Sequence, residues 1–387
     1  MARLTAAVLV SSVGDPFSQV VSLVLLYQVT RSPLAIAAAY GAEMLGVLTI
    51  GGLVGAAADR IDRRRLIVGL EVVRFLVVAS LPVVSSLSVF ILYPLLFLLA
   101  GVETLVQPSR QAALPELVTE GEVGAANALL MTAVTVAQGL GFGLAGMALI
   151  RLSDPRPLYL VDALSFALAA LLIASVGDMG GGIVTTRLRG GVGRAWMIAG
   201  VPPLLVVAAA TVFFVGMLNP TLLPVAYTLS ANGPTAYTLL EVCLISGGFV
   251  GSVAIGRIGR RRRLLAQAAA LWIFGAGVLA VGVTHSFLLA GLAIALSGAG
   301  NAIYSVSNTS ALMERATSMN RGTVMSARFT VTRTSMALGL AAGAGMASWL
   351  GPLRAFGSFG LGLLLVAAGF TVFLVKQGQA LSTRRRD

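Results

Sequence analysis

Apolar runs of about twenty residues follow one another along the whole chain, and most gaps between them carry arginine. An α-helix needs about that length to cross the hydrocarbon core of a bilayer, roughly 30 Å at 1.5 Å per residue. A soluble fold is excluded by the shortage of charge. Residues of the set AVILMFWYC make up 57% of the chain and Asp, Glu, Lys and Arg only 11%, against roughly a quarter charged in a soluble domain. The chain is therefore expected to be an all-α, polytopic membrane protein, not a secreted domain, a cytosolic enzyme or a disordered chain.

Hydropathy and punctuation predict twelve spans, at 5–29, 33–57, 66–85, 88–107, 124–149, 157–177, 200–219, 235–256, 264–284, 287–307, 322–347 and 353–375. They leave no room for a folded domain outside the bilayer. The first run contains Asp15-Pro16 and no small-residue cleavage site, so it is read as a span and not as a signal peptide. The net charge of +12 suggests nucleic acid only until its distribution is read. Twenty basic residues fall in the tails and even-numbered loops, four in the odd-numbered loops, and three (Arg74, Arg328 and Arg333) within spans. The positive-inside rule then places both termini in the cytoplasm, and an even number of spans satisfies it. No nucleic-acid partner is expected. Arginine in place of lysine suggests a bacterial source and hence the cytoplasmic (inner) membrane. Cys243 and His285 are each the sole residue of their kind, so no disulfide framework, zinc site or other metal site is expected.

The longest hydrophilic stretch, 178–199, is Gly-rich and basic and is read as a linker. It divides a half at 1–177 from a half at 200–376, followed by a basic tail at 377–387. The halves echo each other: Arg60-Ile61-Asp62-Arg63-Arg64-Arg65 recurs 197 residues later as Arg257-Ile258-Gly259-Arg260-Arg261-Arg262, each after the second span of its half. Parallel repeats of this kind are a transporter signature, with the site near the midplane.

Polar side chains inside spans have no use for lipid, and an ionisable one at the midplane costs about 2.5–3.5 kcal/mol on insertion scales. Ser11, Asp15, Ser18 and Ser22 share one face of span 1, and Asp15 lies about 15 Å deep, where Pro16 favours a kink. Asp15 is the leading candidate for proton coupling or cation recognition. Glu43 is as deep in span 2, and Glu241 lies in the outer third of span 8. Glu103 and Gln107 share a face of span 4. Ser297, Asn301, Tyr304 and Asn308 form a stripe on span 10 suited to neutral hydrogen bonding of a substrate or to interhelical bonds. Glu71 and Arg74, at i and i+3, are read as an intrahelical pair, Asp162 as packing, and Gly139, Gly143, Gly339 and Gly343 as tight helix contacts.

The stretch Gly55-Ala56-Ala57-Ala58-Asp59-Arg60-Ile61-Asp62-Arg63-Arg64 resembles the loop 2–3 signature of the major facilitator superfamily, G-x-x-x-D-R-x-G-R-R, with Asp62 in place of the second glycine. In the second copy Gly256 stands where the aspartate would be. Ser12-Val13-Gly14-Asp15, Thr30-Arg31-Ser32-Pro33-Leu34-Ala35 and Pro108-Ser109-Arg110-Gln111-Ala112-Ala113-Leu114-Pro115-Glu116-Leu117 are similar to stretches of the bacterial exporter branch with macrolide efflux proteins and the enterobactin exporter. The resemblance implies the major facilitator fold, twelve transmembrane helices in two pseudo-symmetric six-helix bundles. It implies a cavity lined by spans 1, 4, 7 and 10, bordered by Glu103. It also implies packing of span 2 on span 11 that would bring Glu43 to Arg333, either as a switching pair or as a permanent one. Asp59, with Gly55, Arg60, Arg63 and Arg64, would form a cytoplasmic gate. Two departures concern coupling: span 4 is read as 88–107 without an arginine, and span 5 lacks the antiporter proline.

The expected function is proton-coupled export, by alternating access, of a moderately hydrophobic small molecule: drug-like, macrolide-like or siderophore-like. Protons and the lipid bilayer are the other partners, and a monomer is expected. No loop resembles a nucleotide-binding Walker segment, and no cofactor is expected. The rival readings are a nutrient uniporter or importer and a transport-dead sensor. A membrane-embedded enzyme would need clustered catalytic groups that this sequence lacks.

Overall fold

The computed structural model describes residues 1–58, 62–177, 179, 192–259, 262–317 and 320–383. Asp59 and Arg60, and most of the 178–199 linker, lie outside the described residues. Among the described residues twelve long helices run in sequence. They are α1 (Ala2–Thr30), α2 (Pro33–Ala58), α3 (Arg63–Leu87), α4 (Leu92–Ala112), α5 (Val123–Arg151), α6 (Leu158–Ala174), α7 (Pro202–Leu229), α8 (Gly233–Gly256), α9 (Arg263–Val283), α10 (Phe287–Arg315), α11 (Arg321–Leu350) and α12 (Pro352–Thr383). Short helices at Leu114–Leu117 and Val192–Trp196 lie in connections.

Ten of the twelve are long and apolar enough to cross a membrane, so this is a multi-pass integral membrane protein. The other two are α6, apolar but only 17 residues long, and α11, which carries Arg328 and Arg333. At 29 residues each, α1, α5 and α10 reach about 44 Å, enough for hydrocarbon core and headgroups together. Large apolar side chains point outward, among them Leu87, Met147, Leu171, Leu288 and Leu365. Outward-facing leucine is what lipid contact requires and what water would penalise.

Local chemistry sets the helix starts. Asp62, the departure from the glycine of the loop signature, caps α3 by accepting the Arg65 N–H at 2.9 Å. Ser286 does the same for α10 through the Leu289 N–H. The end of α4 differs from expectation. The helix runs through Pro108 to Ala112, so Arg110 lies inside it and not in a loop. A proline mid-pattern reads as a stop because it lacks an N–H, but helix packing here carries the backbone past it.

The chain divides into two units, Met1–Thr186 with Pro234–Val242, and Arg187–Gly233 with Cys243–Asp387. Compared with the expected halves, the stretch Pro234–Val242 at the start of α8 goes with the first unit. In the first unit α1 packs on α5 and α6, α3 on α6, and α2 on α4; in the second, α7 packs on α11 and α12, and α9 on α12. Each half thus repeats the other's helix pairings, and the glycines show the repeat at atomic scale. Gly46 of α2 lets the Phe97 backbone of α4 approach, and Gly247 of α8 does so for Ala295 of α10. Gly141 of α5 meets Val13 and Pro16 of α1, and Gly339 of α11 meets Phe213 and Gly216 of α7. A Cβ at any of these four would collide with backbone or ring atoms. Gly339 and Gly343 therefore serve close helix packing within the second unit.

Candidate functional site

The first unit encloses a cavity of about 420 Å³ between α1, α2, α3, α4, α5 and α6. Four carboxylates line it, Asp15, Glu43, Glu103 and Asp162, with two guanidiniums, Arg74 and Arg110. Leu96, Leu130, Met131, Val134 and Phe166 supply the apolar part of the wall. Most small-molecule pockets have this composition, an apolar surface with a few placed polar groups.

The charges form a connected network. Arg74 projects from α3 with 6% of its side chain exposed and reaches Asp15 of α1 at 2.7 Å and Glu103 of α4 at 2.9 Å. Its guanidinium lies 3.8 Å from the centre of the Phe166 ring of α6, a cation–π arrangement. The predicted intrahelical contact with Glu71 is present, but at 3.5 Å it is the longest of the three ion pairs. Arg74 therefore belongs to the site, which its i, i+3 spacing does not reveal. Glu71, fully buried, is held by Arg110 at 2.5 Å, and Arg110 also donates to the Ser11 hydroxyl at 3.2 Å. Charge this deep is tolerable only where each ion has a partner and further hydrogen bonds.

Span 1 is placed to serve this site because it packs on both α5 and α6. Ser11, Ser18 and Ser22 are buried, Ser22 within hydrogen-bond distance of Tyr159 (3.0 Å), while Asp15 and Gln19 face the cavity. Pro16 has no N–H, so the helix bond to the Ser12 carbonyl is missing beside the site.

The remaining candidates fall in several places. Glu43 and Gln107 line the cavity with Asp15 and Glu103. Glu241 is partly buried on α8, one turn beyond the buried Tyr237. Arg333 belongs to the second unit and lies 5.2 Å over the ring of Phe329, one turn earlier on α11. The span 10 stripe turns into the core of the second unit. Tyr304, 3% exposed, packs with Ala270, Leu271 and Ala311; Ser297 bonds its own helix at Ala293, and Asn308 donates to the Leu204 carbonyl of α7. Asn301 is partly buried on the same helix. A spacing of four, three and four identifies a face but not what the face meets.

Of the loop signature, Gly55 lies in α2. Arg63 and Arg64 donate to the carbonyls of Met179 and Ala174, and Arg3 donates to that of Ser175. The Arg64 and Arg3 guanidiniums thus occupy the C-terminal end of α6, where unpaired carbonyls and the helix dipole favour cations, and Arg63 holds the chain just beyond it. Asp162, read from sequence as packing, lies on the cavity wall. Among the described residues no group of three or more His, Cys, Asp or Glu side chains is placed to hold a metal ion.

The fold is similar to solved transporter structures. The nucleoside transporter NupG superposes with a TM-score of 0.77 at 10% identity, over 96% of this chain and 98% of that one. A POT family transporter in complex with 5-aminolevulinic acid gives 0.74 at 13%, over 97% and 96%. The human organic anion transporter MFSD10 (TETRAN) gives 0.62 at 16%, over 95% and 99%. At these identities the likeness extends to the fold alone. No curated protein sequence matches at a significant level. The family model described as Major Facilitator Superfamily matches residues 4–340, most of the chain, and the chain therefore belongs to that superfamily of multi-pass membrane transporters, which are not enzymes.

Proposed function

We propose that this transporter exports a moderately hydrophobic small molecule in exchange for protons, with its termini in the cytoplasm of a bacterial cell. The observation that carries the reading is Arg74, shared between Asp15 and Glu103 at 2.7 and 2.9 Å on the wall of a partly apolar cavity. One guanidinium cannot neutralise two carboxylates, so a proton on either acid changes which of them Arg74 holds. That is the kind of two-state element that links proton movement to opening of a cavity on one side at a time. The stretches resembling the macrolide and enterobactin exporter branch support export, and the arginine distribution supports the orientation.

The test is transport in proteoliposomes, with compounds first selected by accumulation in an overexpressing strain. A pH gradient, acid inside, is expected to drive uptake into the lumen against the substrate gradient, and a protonophore to abolish it. Equal counterflow with and without the gradient would leave a uniporter.

The gate belongs to the same proposal. Asp59, the residue after Ala58 in the sequence, is read as a carboxylate held by the N-terminus of a helix when the cytoplasmic side is shut, with Arg63 and Arg64 in support. Asp59→Asn is expected to lower turnover several-fold at normal membrane insertion, measured as transport per inserted protein. Wild-type turnover would remove Asp59 from the gate.

A further inference from the structure

Within the first unit, Asp162 differs from the other cavity acids. It is 1% exposed, and among the described residues it forms no ion pair. Its carboxylate is met only by hydroxyls, that of Ser165 at 3.3 Å, one turn on in α6, and that of Ser18 from α1. The charges that act on it are those of Asp15 from α1 and Arg74 from α3, and Arg74 is already engaged by Asp15 and Glu103. A carboxylate this deep without a cation is strongly disfavoured. Yet α1 is shaped to admit it: a Cβ at Gly14 would stand 2.6 Å from the Asp162 Oδ1 atom. One turn further along the same face of α1, Ser18 is 6% exposed, and its hydroxyl is turned toward the Asp162 carboxylate. Both Asp162 and Ser18 line the cavity. Four residues beyond Asp162, the Phe166 ring already carries a cation on its face.

A buried carboxylate with no ion pair and a buried hydroxyl beside it, on the wall of a partly apolar cavity, make a site for a compact organic cation. We propose that Asp162 and Ser18 hold the ammonium head of an amphiphilic amine cargo, whose apolar body lies in the cavity lined by Leu130, Met131 and Val134. From the transport reading above this takes only that the cavity holds cargo. Asp15, Arg74 and Glu103 remain the coupling group, and Asp162 becomes the residue that selects for charge.

Dansylcadaverine, a hydrophobic primary amine, and its N-acetyl derivative, which has no charge, provide the test by fluorescence titration of purified protein in nanodiscs near neutral pH. Wild type is expected to bind the amine about tenfold or more tighter than the acetylated compound. Asp162→Asn is expected to remove that preference by weakening the amine alone, and Ser18→Ala to reduce it. Equal binding of the two compounds by wild type, or an unchanged preference in Asp162→Asn, would overturn the site. If Asp162→Asn fails to yield monodisperse protein, Ser18→Ala and Gly14→Ala decide in its place, and an unchanged preference in both overturns it. Failure of proton coupling would abolish gradient-driven transport and leave this binding difference intact, so the two proposals fail separately.

Discussion

Asp15→Asn is expected to lower pH-driven transport by about tenfold or more while leaving gradient-independent counterflow measurable. Asparagine has nearly the shape of aspartate and can still accept a hydrogen bond from the Arg74 guanidinium, but it cannot take up or release a proton. Arg74 keeps Glu103 at 2.9 Å and the ring of Phe166 at 3.8 Å, so no buried charge is left alone and the variant should fold. The loss should therefore appear in coupling and not in yield. Proteoliposomes loaded for counterflow and then challenged with a pH gradient measure both quantities in one preparation. Gradient-driven uptake equal to wild type would take Asp15 out of the coupling group and leave its pair with Arg74 as structure. Glu103→Gln discriminates further. If Arg74 alternates between the two carboxylates, either substitution fixes it on the remaining acid and both variants lose coupling. If only Asp15 carries the proton, Glu103→Gln stays coupled.

Much of this arrangement is legible from the residues. Twenty-residue apolar runs can be satisfied in lipid only as helices, so the number and order of the long helices follow from hydropathy. Their ends do not. α7 runs to Leu229 and α10 to Arg315, well beyond the expected 219 and 307, because hydropathy marks the part of a helix that lipid needs while backbone hydrogen bonding continues past it. The depth and company of Asp15 in span 1 point to the cavity that it lines. The partners are less legible. Spacing on one helix identifies Glu71 as the neighbour of Arg74, whereas its shorter ion pairs come from α1 and α4, and only tertiary packing decides those. Arg110 was hidden by Pro108, and Asp162 by the absence of a polar companion nearer than Ser165. Tyr304 and Asn308 lie on a regular polar face that packing turns inward within its own unit, toward the buried side of α7 and α9, where Asn308 makes the interhelical bond that was the alternative reading of the stripe.

Glu71→Ala is expected to be among the most destabilising single changes in the first unit, by about 3–5 kcal/mol, the usual cost of removing one partner of a buried ion pair. Glu71 is fully buried and Arg110 nearly so, 2.5 Å apart. Without the carboxylate, Arg110 keeps only the Ser11 hydroxyl at 3.2 Å, and a hydroxyl cannot neutralise a guanidinium at this depth. Arg74 would lose only its longest ion pair, so the damage should centre where α3 and α4 meet α1, away from Asp15 and Glu103. The double variant Glu71→Met with Arg110→Met separates the pair's role from its charge. Replacing a buried ion pair by apolar side chains of similar volume is often neutral or stabilising, so thermal unfolding of the purified double variant should return close to the wild-type midpoint. The double variant retains Asp15, Arg74 and Glu103, so recovery of stability with recovery of gradient-driven transport makes Arg110 and Glu71 a structural support for the coupling group. Recovery of stability alone makes Arg110 part of the coupling group. A single variant that melts with wild type would contradict the buried pair.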